Sequence, residues 1–544
     1  MKDSYKYESV FPFRIVSKNG IVSNEDTLLK EKALQITTNE KDIMKICNRA
    51  SHKNSYILID FGKEIHGRLR ILTYTTDGTS VPELRITYGE SVSEALSIIG
   101  KKGATNDHSV RDTVFSFPDY SDMSLNESGF RFAKIELLTK NAEINIKAIV
   151  AETKIRDLEY IGSFESDSET LNRIYNTAAY TCHLCMQQLI WDGIKRDRLV
   201  WVGDMHPEML AVRTIFGNNE IINESLTFMR NTTPLPQWMN GMPTYSLWWL
   251  IILRDWYFYS GNESFISENK DYALKLIEIV CSLVNNNGTD NLPSYFLDWP
   301  CNGKKAGVSG SRALLAYCLD KSAEICTYFG NEELSLRCKE RKNILTSAPA
   351  KSFGAKQVEA FFSLSGWVDE KIAAENILKN GCEGFSTFMS YYLLKSASKL
   401  NMTETLRALE EYYGAMLDMG ATTFWEDFNI KWCENAYRID ELPVKDKKDI
   451  HGDFGAFCYK GLRHSLCHGW SSGPVAFIAE SVLGIEIIEA GCKKIRISPN
   501  LGYLKFAKGT YPTPYGKLYV EIRKKTDGTY DIKYEAPEEI KIII

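Results

Sequence analysis

The first 155 or so residues alternate hydrophobic and polar side chains with the period of a β-strand. Turn signals such as Asp77-Gly78 separate the alternating runs, and few helical patterns lie between them. A period of two places one face of each run against a core, so we predict a β-sandwich or a jelly roll here. The clearest runs lie at 55–61, 67–74, 83–90, 130–138 and 144–150.

From about residue 160 to residue 485, the hydrophobic positions recur with the period of an amphipathic helix. In the first long run, 169–189, Leu171, Ile174 and Ala178 fall on one stripe. About a dozen such runs favour a closed helical barrel or a solenoid, and no sequence period of roughly 30–50 residues supports a regular repeat array. The other runs lie at 207–216, 219–230, 245–259, 269–286, 311–329, 332–345, 369–378, 385–398, 402–418 and about 473–483.

The last segment, from about residue 486 to residue 544, returns to the β pattern. The strings KKIRIS, GKLYVEIRK and YDIKYE alternate, and Asp527-Gly528 marks a turn. We expect a small sandwich or an appended sheet. The predicted domains are therefore 1–158, 159–485 and 486–544, and no low-complexity linker separates them.

Composition narrows the class of protein. The 544 residues carry 65 Lys and Arg against 70 Asp and Glu, a net charge of −5, and 44% are hydrophobic. These values exclude a largely disordered chain, and a nucleic-acid binder would need a basic face. No window approaches the roughly 18 apolar residues of a membrane span. Thirteen scattered cysteines and a polar N-terminus predict reduced thiols and a cytoplasmic location.

The densest polar stretch, residues 191–208, follows the first long predicted helix. Charged groups beside aromatic residues that favour burial must be paired or must change their pKa. A carboxylate next to Trp, oriented by Arg neighbours, is how a general acid is tuned, whereas the alternative is a solvated loop with surface ion pairs. The charged residues are Asp192, Lys195, Arg196, Asp197, Arg198, Asp204, His206 and Glu208, interspersed with Trp191, Val200 and Trp201.

A second candidate is the segment 421–432, in which Thr423, Phe424 and Trp425 lead into Glu426. A glutamate flanked by Trp on a short extended segment is a plausible general base. The alternative is an exposed helix N-terminus, with Thr as its cap and Glu in its first turn.

Aromatic and polar residues also occur together in other predicted loops. Sugar rings have apolar faces and hydroxyl rims, so a sugar site needs flat aromatic side chains together with carboxylates. Each pair is weak evidence by itself, but several in one helical region indicate a carbohydrate site. The residues are Trp248, Asp298, Trp299, His468 and Trp470.

Motifs of other chemistries are disfavoured. Cys182 and Cys185 have C-x-x-C spacing, but they lie within one amphipathic run and no second such pair occurs. Ser471 lies in a G-x-S-x-G string, but no His follows His468 to complete a triad. Neither glycine-rich nucleotide motif occurs, so no nucleotide cofactor is predicted.

The stretch 191–208 resembles the signature of glycoside hydrolase family 78, the α-L-rhamnosidases. Much of that family carries a pattern like D-x-P-x-R-(D/E)-E-R-x-G-W-x-G-D. This sequence keeps the spacing from its acidic residue to Gly203-Asp204, but the usual general-acid Glu is Asp197 and the Gly before Trp is Val200. A second family motif, A-T-T-x-W-E, is intact at 421–426 and places the family's general base on Glu426.

Weaker similarity covers most of the chain. It includes 60–71 and 129–137 for the family's N-terminal β domain, 463–474 for the end of its helical barrel, and 493–504 for its C-terminal domain. The resemblance implies a multidomain α and β protein, with a central (α/α)6 barrel flanked by an N-terminal β-sandwich and a small C-terminal β-sandwich.

The resemblance also implies an exo-acting, inverting hydrolase that releases terminal α-L-rhamnose. Asp197 would be the general acid, shortened by one methylene, and Glu426 the general base that activates water on the opposite face of the ring. Because the acid must be protonated to act, we expect the guanidinium groups of Arg196 and Arg198 to point away from it. The expected substrate-binding residues are Asp192, Arg196, Trp201, Asp204, Trp248, Asp298, Trp299, Trp425, His468 and Trp470.

Two alternatives stay open at this point. One is an (α/α)6 enzyme with another activity, such as a different exo-glycosidase or a lyase. The other is a non-catalytic sugar-binding relative in which the change to Asp197 has cost activity. The expected partner is a rhamnose-containing oligosaccharide or glycoside, with no nucleic acid, membrane, cofactor or metal, and a homodimer is left open.

Overall fold

The computed structural model describes residues 4–49, 54–78 and 80–544. The chain passes through an N-terminal β region, a helical middle region and a C-terminal β region, so the predicted order is confirmed. No helix in the described part of the chain is both long and apolar enough to cross a membrane. All thirteen cysteines are unpaired, and eleven of them are buried.

Ten strands build the N-terminal region: β1 (Tyr5–Val10), β2 (Arg14–Asn19), β3 (Ile21–Ser23), β4 (Met44–Cys47), β5 (Tyr56–Asp77), β6 (Glu83–Gly89), β7 (Asp112–Ser116), β8 (Asp122–Ser124), β9 (Ser128–Leu137) and β10 (Glu143–Arg156). They form one sheet in the order β3-β4-β10-β5-β9-β6-β7, with β1 beside β10 and with β2 and β8 beside β5. A short helix, α1 (Val92–Leu96), follows β6.

Strand β5 joins two runs that the sequence pattern separated, 55–61 and 67–74. The pairing of β5 with β9 shifts register between Asp60 and Ile65. Gly62 in this interval has φ +86°, which an L side chain rarely adopts. The irregularity interrupts the alternation without ending the strand, and for this reason the pattern showed two runs.

The helical region contains α2 (Glu169–Cys185), α3 (Val202–Ile215), α4 (Glu220–Thr232), α5 (Pro243–Ser260), α6 (Glu263–Glu268), α7 (Lys270–Ser282), α8 (Lys305–Tyr328), α9 (Glu332–Thr346), α10 (Lys356–Leu364), α11 (Glu370–Leu378), α12 (Ser390–Ala397), α13 (Met402–Asp418) and α14 (Gly473–Phe477). Polar residues such as Ser168, Asn219 and Asn401 cap the helices they precede by accepting backbone N–H groups. Helix α6 has only six residues, too few to show a period, and it was not predicted. Helix α10, with nine residues, was also missed.

The remaining strands are β11 (Ser163–Ser166), β12 (Ala436–Tyr437), β13 (Lys448–Asp449), β14 (Ile485–Glu489), β15 (Lys494–Ile497), β16 (Phe506–Thr513), β17 (Gly516–Lys524), β18 (Tyr530–Glu535) and β19 (Lys541–Ile543). Strands β11, β16, β17 and β18 form one sheet, and β14, β15 and β19 form another. The C-terminal β region therefore includes β11, which precedes the first long helix.

A buried arginine of the N-terminal sheet, Arg131, also contacts the helical region. Asp60 is fully buried and accepts hydrogen bonds from Arg131 Nε and Nη2 at 2.8 and 3.0 Å. Arg131 Nη1 donates to the carbonyl oxygen of Gly420 at 3.0 Å. This contact fixes the chain immediately before the segment 421–426.

Replacing Arg131 by Met should destabilise the protein by about 3 kcal/mol, because the buried Asp60 carboxylate then keeps only Arg14, which is 41% exposed, as its cation. We expect the thermal unfolding midpoint to fall by roughly 5 °C or more. Arg68→Met is the matched control, since Arg68 pairs with Glu152 on the same sheet but is 48% exposed. Equal effects of the two substitutions would contradict the anchoring role.

Candidate active site

A cavity of about 360 Å³ brings the two predicted motifs together. The carboxyl groups of Asp197 and Glu426 both open into it. A larger cavity, of about 640 Å³, lies on the other side of the short turn Trp299–Cys301 and contains neither group. The smaller cavity is lined by Asp192, Arg196, Asp197, Trp201, Asp204, Asn240, Met242, Tyr245, Ser294, Tyr295, Phe296, Trp299, Asn302, Glu426, Cys458, His468 and Trp470.

The first motif is a loop closed at its base by Asp192. The Asp192 carboxylate accepts from the Leu199 backbone N–H at 2.9 Å, and the two residues are also joined at 3.0 Å through their main chains. Helix α3 then begins at Val202 and places Asp204 in its first turn. Gly203 is required here, because a Cβ would lie 2.5 Å from the Tyr245 ring.

The second motif lies in an extended loop, so the alternative of a helix N-terminus does not apply to Glu426. Thr181 holds the backbone N–H of Phe424 at 2.9 Å, and the hydroxyl of Thr423 donates to Leu466 O at 2.7 Å. Glu426 and Ser465 are paired twice: the Glu426 N–H donates to Ser465 O at 2.9 Å, and the Ser465 N–H donates to the Glu426 carboxylate at 3.1 Å. These bonds aim the carboxylate into the cavity.

Arg196 lies between the two proposed catalytic carboxylates. Its Nη1 donates to Asp197 Oδ1 at 2.9 Å, and its Nη2 donates to Glu426 Oε1. The expectation that the guanidinium groups point away from Asp197 is therefore wrong for Arg196. Arg196 makes a single hydrogen bond to Asp197 rather than a two-pronged one, because its other outer nitrogen contacts Glu426. Arg198 does point away, toward Glu127 and the face of Trp191.

Glu426 is held in its ionised form. Burial by itself would raise its pKa, but the positive charges of Arg196 and His468 outweigh burial and lower the pKa to about 2. Only 4% of the Glu426 side chain is exposed. A buried, ionised and well-oriented carboxylate suits a general base.

Two other acidic groups of the cavity, Asp192 and Asp204, have raised pKa values, in contrast to Glu426. Burial raises the pKa of Asp204, even though it accepts hydrogen bonds from His468 at 3.2 Å and Tyr245 at 3.1 Å. Burial also raises the pKa of Asp192 well above its usual range. The neighbouring carboxylates raise the pKa of His468 although burial opposes them. The cavity floor therefore offers both proton donors and acceptors to a hydroxylated ligand.

Asp197 is the more accessible of the two proposed catalytic groups, with 19% of its side chain exposed. Besides the bond from Arg196, it accepts from Trp201 Nε1 at 3.2 Å. The His108 imidazole approaches its carboxylate to 3.5 Å from the N-terminal region.

The structure corrects the predicted substrate contacts at three positions. Trp248 lies in the core, stacked on His206, and Trp425 is buried against Phe428. Asp298 caps the turn Trp299–Cys301 from behind the cavity wall and accepts a hydrogen bond from Ser386. The remaining predicted contacts line the cavity, namely Asp192, Arg196, Trp201, Asp204, Trp299, His468 and Trp470.

Several residues that line the cavity lie outside the two motifs, so the sequence did not identify them. Asn240 adopts a left-handed conformation with φ 51° and holds both Val202 N–H and Val200 O, so it braces the first motif. Phe296 lies just before the Asp298-Trp299 pair, which is the nearest sequence signal. The other unpredicted lining residues are Met242, Ser294, Tyr295, Asn302 and Cys458, whereas Tyr245 belongs to the aromatic group around Trp248 that the sequence pointed to.

A buried charge cluster supports the site from the N-terminal region. Lys195 Nζ lies 2.9 Å from Glu90 and 3.2 Å from Glu94. Glu90 also accepts from the N–H of Leu466 at 2.6 Å and the hydroxyl of Ser465 at 3.2 Å, next to Glu426. Glu90, Glu94 and His451 have the spacing of metal ligands, but the Lys195 ammonium already contacts both carboxylates at the position a cation would take.

Comparison with known proteins defines the class. Residues 159–360 match the family model for the bacterial alpha-L-rhamnosidase six-hairpin glycosidase domain, and residues 484–544 match that for the bacterial alpha-L-rhamnosidase C-terminal domain. Each of these two regions is therefore similar to a domain of the bacterial alpha-L-rhamnosidases, and the expected resemblance to glycoside hydrolase family 78 is confirmed. No protein of curated function matches the sequence.

Solved structures share the fold at low sequence identity. The family 78 rhamnosidase of Bacillus sp. GL1 superposes with a TM-score of 0.73 at 20% identity, over 90% of this chain and 53% of that one. The rhamnosidase from Klebsiella oxytoca with rhamnose bound gives 0.67 at 18%, over 88% and 96%. The alpha-L-rhamnosidase of Dictyoglumus thermophilum gives 0.72 at 16%, over 100% and 59%. The chain spans about half the length of the Bacillus protein.

Replacing Glu426 by Gln tests the ionisation of this group through stability. Because its folded-state pKa lies below the usual value of 4.5, its contribution is fully present above about pH 4.5 and is lost as the pH falls toward 2. We expect the variant to be less stable than wild type by about 3 kcal/mol at pH 7. The gap in thermal unfolding midpoint should narrow as the pH falls from about 4.5 toward 2. The exposed Glu434→Gln is the control, and a pH-independent gap for Glu426→Gln would contradict the assignment.

Proposed function

We propose that this protein is an exo-acting, inverting α-L-rhamnosidase with Asp197 as general acid and Glu426 as general base. The observation that carries the proposal is the meeting of the two motif carboxylates on one guanidinium, in a cavity walled by aromatic rings. The helical region is proposed to close as an (α/α)6 barrel between two β-sandwich domains. The domain bounds 1–158, 159–485 and 486–544 are part of the same proposal.

The charges of the site support this division of roles. Arg196 contacts both carboxyl groups, and Glu426 is the more deeply buried of the two. Glu426 stays ionised because it is buried against Arg196 and accepts the Ser465 N–H. We propose that Asp197, which is the more exposed of the two, is the group that meets the glycosidic oxygen.

The reaction then follows from the positions of the two groups. Asp197 gives its proton to the glycosidic oxygen, and the bond from that oxygen to the anomeric carbon breaks. A water attacks the anomeric carbon from the opposite face and loses a proton to Glu426. A water bonding to an electron-deficient carbon becomes strongly acidic, so a base with a pKa of about 2 is sufficient.

The cavity walls suit a deoxy sugar. Trp201, Trp299 and Trp470 offer flat apolar surfaces to the ring and to a methyl group. Asp204 and His468, which are hydrogen-bonded to each other at 3.2 Å, offer an acceptor and a donor to neighbouring hydroxyls. The rhamnose-bound Klebsiella protein has the same fold and supports this choice of sugar.

Hydrolysis of an aryl α-L-rhamnoside tests the proposal, with wild type measured beside Asp197→Asn and Glu426→Gln. We expect both variants to lose kcat by about 10²-fold or more, because each lacks one proton-transfer group. Asp427→Asn is the matched control: it removes the neighbouring carboxyl group, which does not line the cavity, and should keep activity within roughly 10-fold of wild type.

The outcomes also separate the alternatives. Release of the β-anomer of L-rhamnose, followed by proton NMR in the first minutes, is expected for inversion, and the α-anomer would contradict it. Turnover of another glycoside but no rhamnoside would indicate a different sugar. Rhamnose binding by calorimetry without turnover would indicate a non-catalytic relative.

A further inference from the structure

His108 reaches the active site from the N-terminal β region. It lies on the loop 97–111, between α1 and β7, and its Nδ1 is 3.0 Å from the backbone oxygen of Asp197. The same nitrogen is 3.5 Å from Asp197 Oδ1. With a proton on Nδ1, the imidazole donates to the main chain of Asp197 and faces its carboxyl group.

The loop that carries His108 is fastened to the helical region at two positions that precede the imidazole in the chain. Lys102 pairs with Asp453 at 2.7 Å, and its carbonyl oxygen accepts from the Leu462 N–H at 2.7 Å. Asp107, next to His108, contacts Arg463 at 3.3 Å. The carbonyl oxygen of Arg463 accepts in turn from Arg196 Nε at 3.2 Å, so the loop is also linked to Arg196, which precedes Asp197 in the chain.

The backbone at His108 is in a conformation that glycine would adopt more easily. Its φ is +64°, in the left-handed region. Such a conformation is unfavourable for a non-glycine residue and persists where the surroundings require it. The fastened loop therefore holds His108 in this conformation, with its imidazole against Asp197.

We propose that His108 is a positioning residue for the general acid, so that the N-terminal β region completes the active site. This inference rests on the proposed function. His108 fixes the Asp197 main chain and restricts the carboxyl group to the orientation that faces the glycosidic oxygen. Without the imidazole, Asp197 keeps its bonds to Arg196 and Trp201 but gains freedom on the side from which His108 approached.

A defect in the general acid changes how the rate depends on the leaving group, whereas a general loss of structure does not. A good leaving group, such as a dinitrophenolate, departs without being protonated, whereas a sugar or an alkyl alcohol needs the proton. A misplaced acid therefore slows substrates with poor leaving groups selectively. A fold defect lowers the amount of active enzyme and slows all substrates equally.

The test compares His108→Gly, His108→Asn and wild type on two substrates, 2,4-dinitrophenyl α-L-rhamnoside and methyl α-L-rhamnoside. Glycine removes the imidazole and relieves the backbone. Asparagine tolerates the left-handed conformation and keeps an N–H donor near the position of Nδ1. Lys101→Ala, an exposed position of the same loop, is the control for general effects on the loop.

We expect His108→Gly to lose kcat/KM by about 10-fold or more on the methyl rhamnoside and by less than about 3-fold on the dinitrophenyl rhamnoside. His108→Asn should recover most of the loss. Equal losses on both substrates, no loss, or a failure of Asn to recover activity would overturn the inference while leaving the proposed function intact. Absence of wild-type turnover on both rhamnosides would overturn the proposed function, and this inference with it.

Discussion

The Arg196 guanidinium is the interaction on which the rest of the site depends. It is only 4% exposed, and its three nitrogens contact Asp197, Glu426 and the main chain at Arg463. The carboxyl groups of Asp197 and Glu426 both contact this one cation, which offsets the repulsion that negative charges at short range have in a buried environment. Arg196 thus stabilises the pair, and by favouring ionised Glu426 it also makes the two carboxylates unequal.

The loops that hold this group have little regular structure and are fixed from outside. The 191–201 loop, the 421–429 loop and the 464–468 segment contribute almost all of the catalytic contacts. The N-terminal β region braces each of them: Arg131 bonds Gly420, Glu90 bonds the backbone at Leu466, and His108 bonds Asp197. A sheet far from the motifs in sequence therefore determines how rigid the cavity is. Rigid placement of the reacting groups is what lowers a reaction barrier.

The sequence was sufficient to predict the order of the β and α regions and the meeting of Asp197 with Glu426. Both depend on patterns that are local or carried by motifs. Trp248 was predicted as a wall because it stands in an aromatic group, but helix α5 is buried on most of its sides, and such a helix does not reveal which face meets a cavity. His108 could not have been found, because no pattern connects an exposed loop to a residue 89 positions later. The bridging position of Arg196 also depends on long-range packing.

Arginine and lysine differ in how many carboxylates their charged group can contact at once. A planar guanidinium can contact two carboxylates at once, whereas an ammonium group on a flexible stem places its charge at one point. The most direct measurement is therefore the kcat of Arg196→Lys on an aryl α-L-rhamnoside, with folding checked by circular dichroism. A loss of about 10²-fold or more is predicted, although the positive charge is kept. Activity within about 3-fold of wild type would contradict the central role of the shared guanidinium.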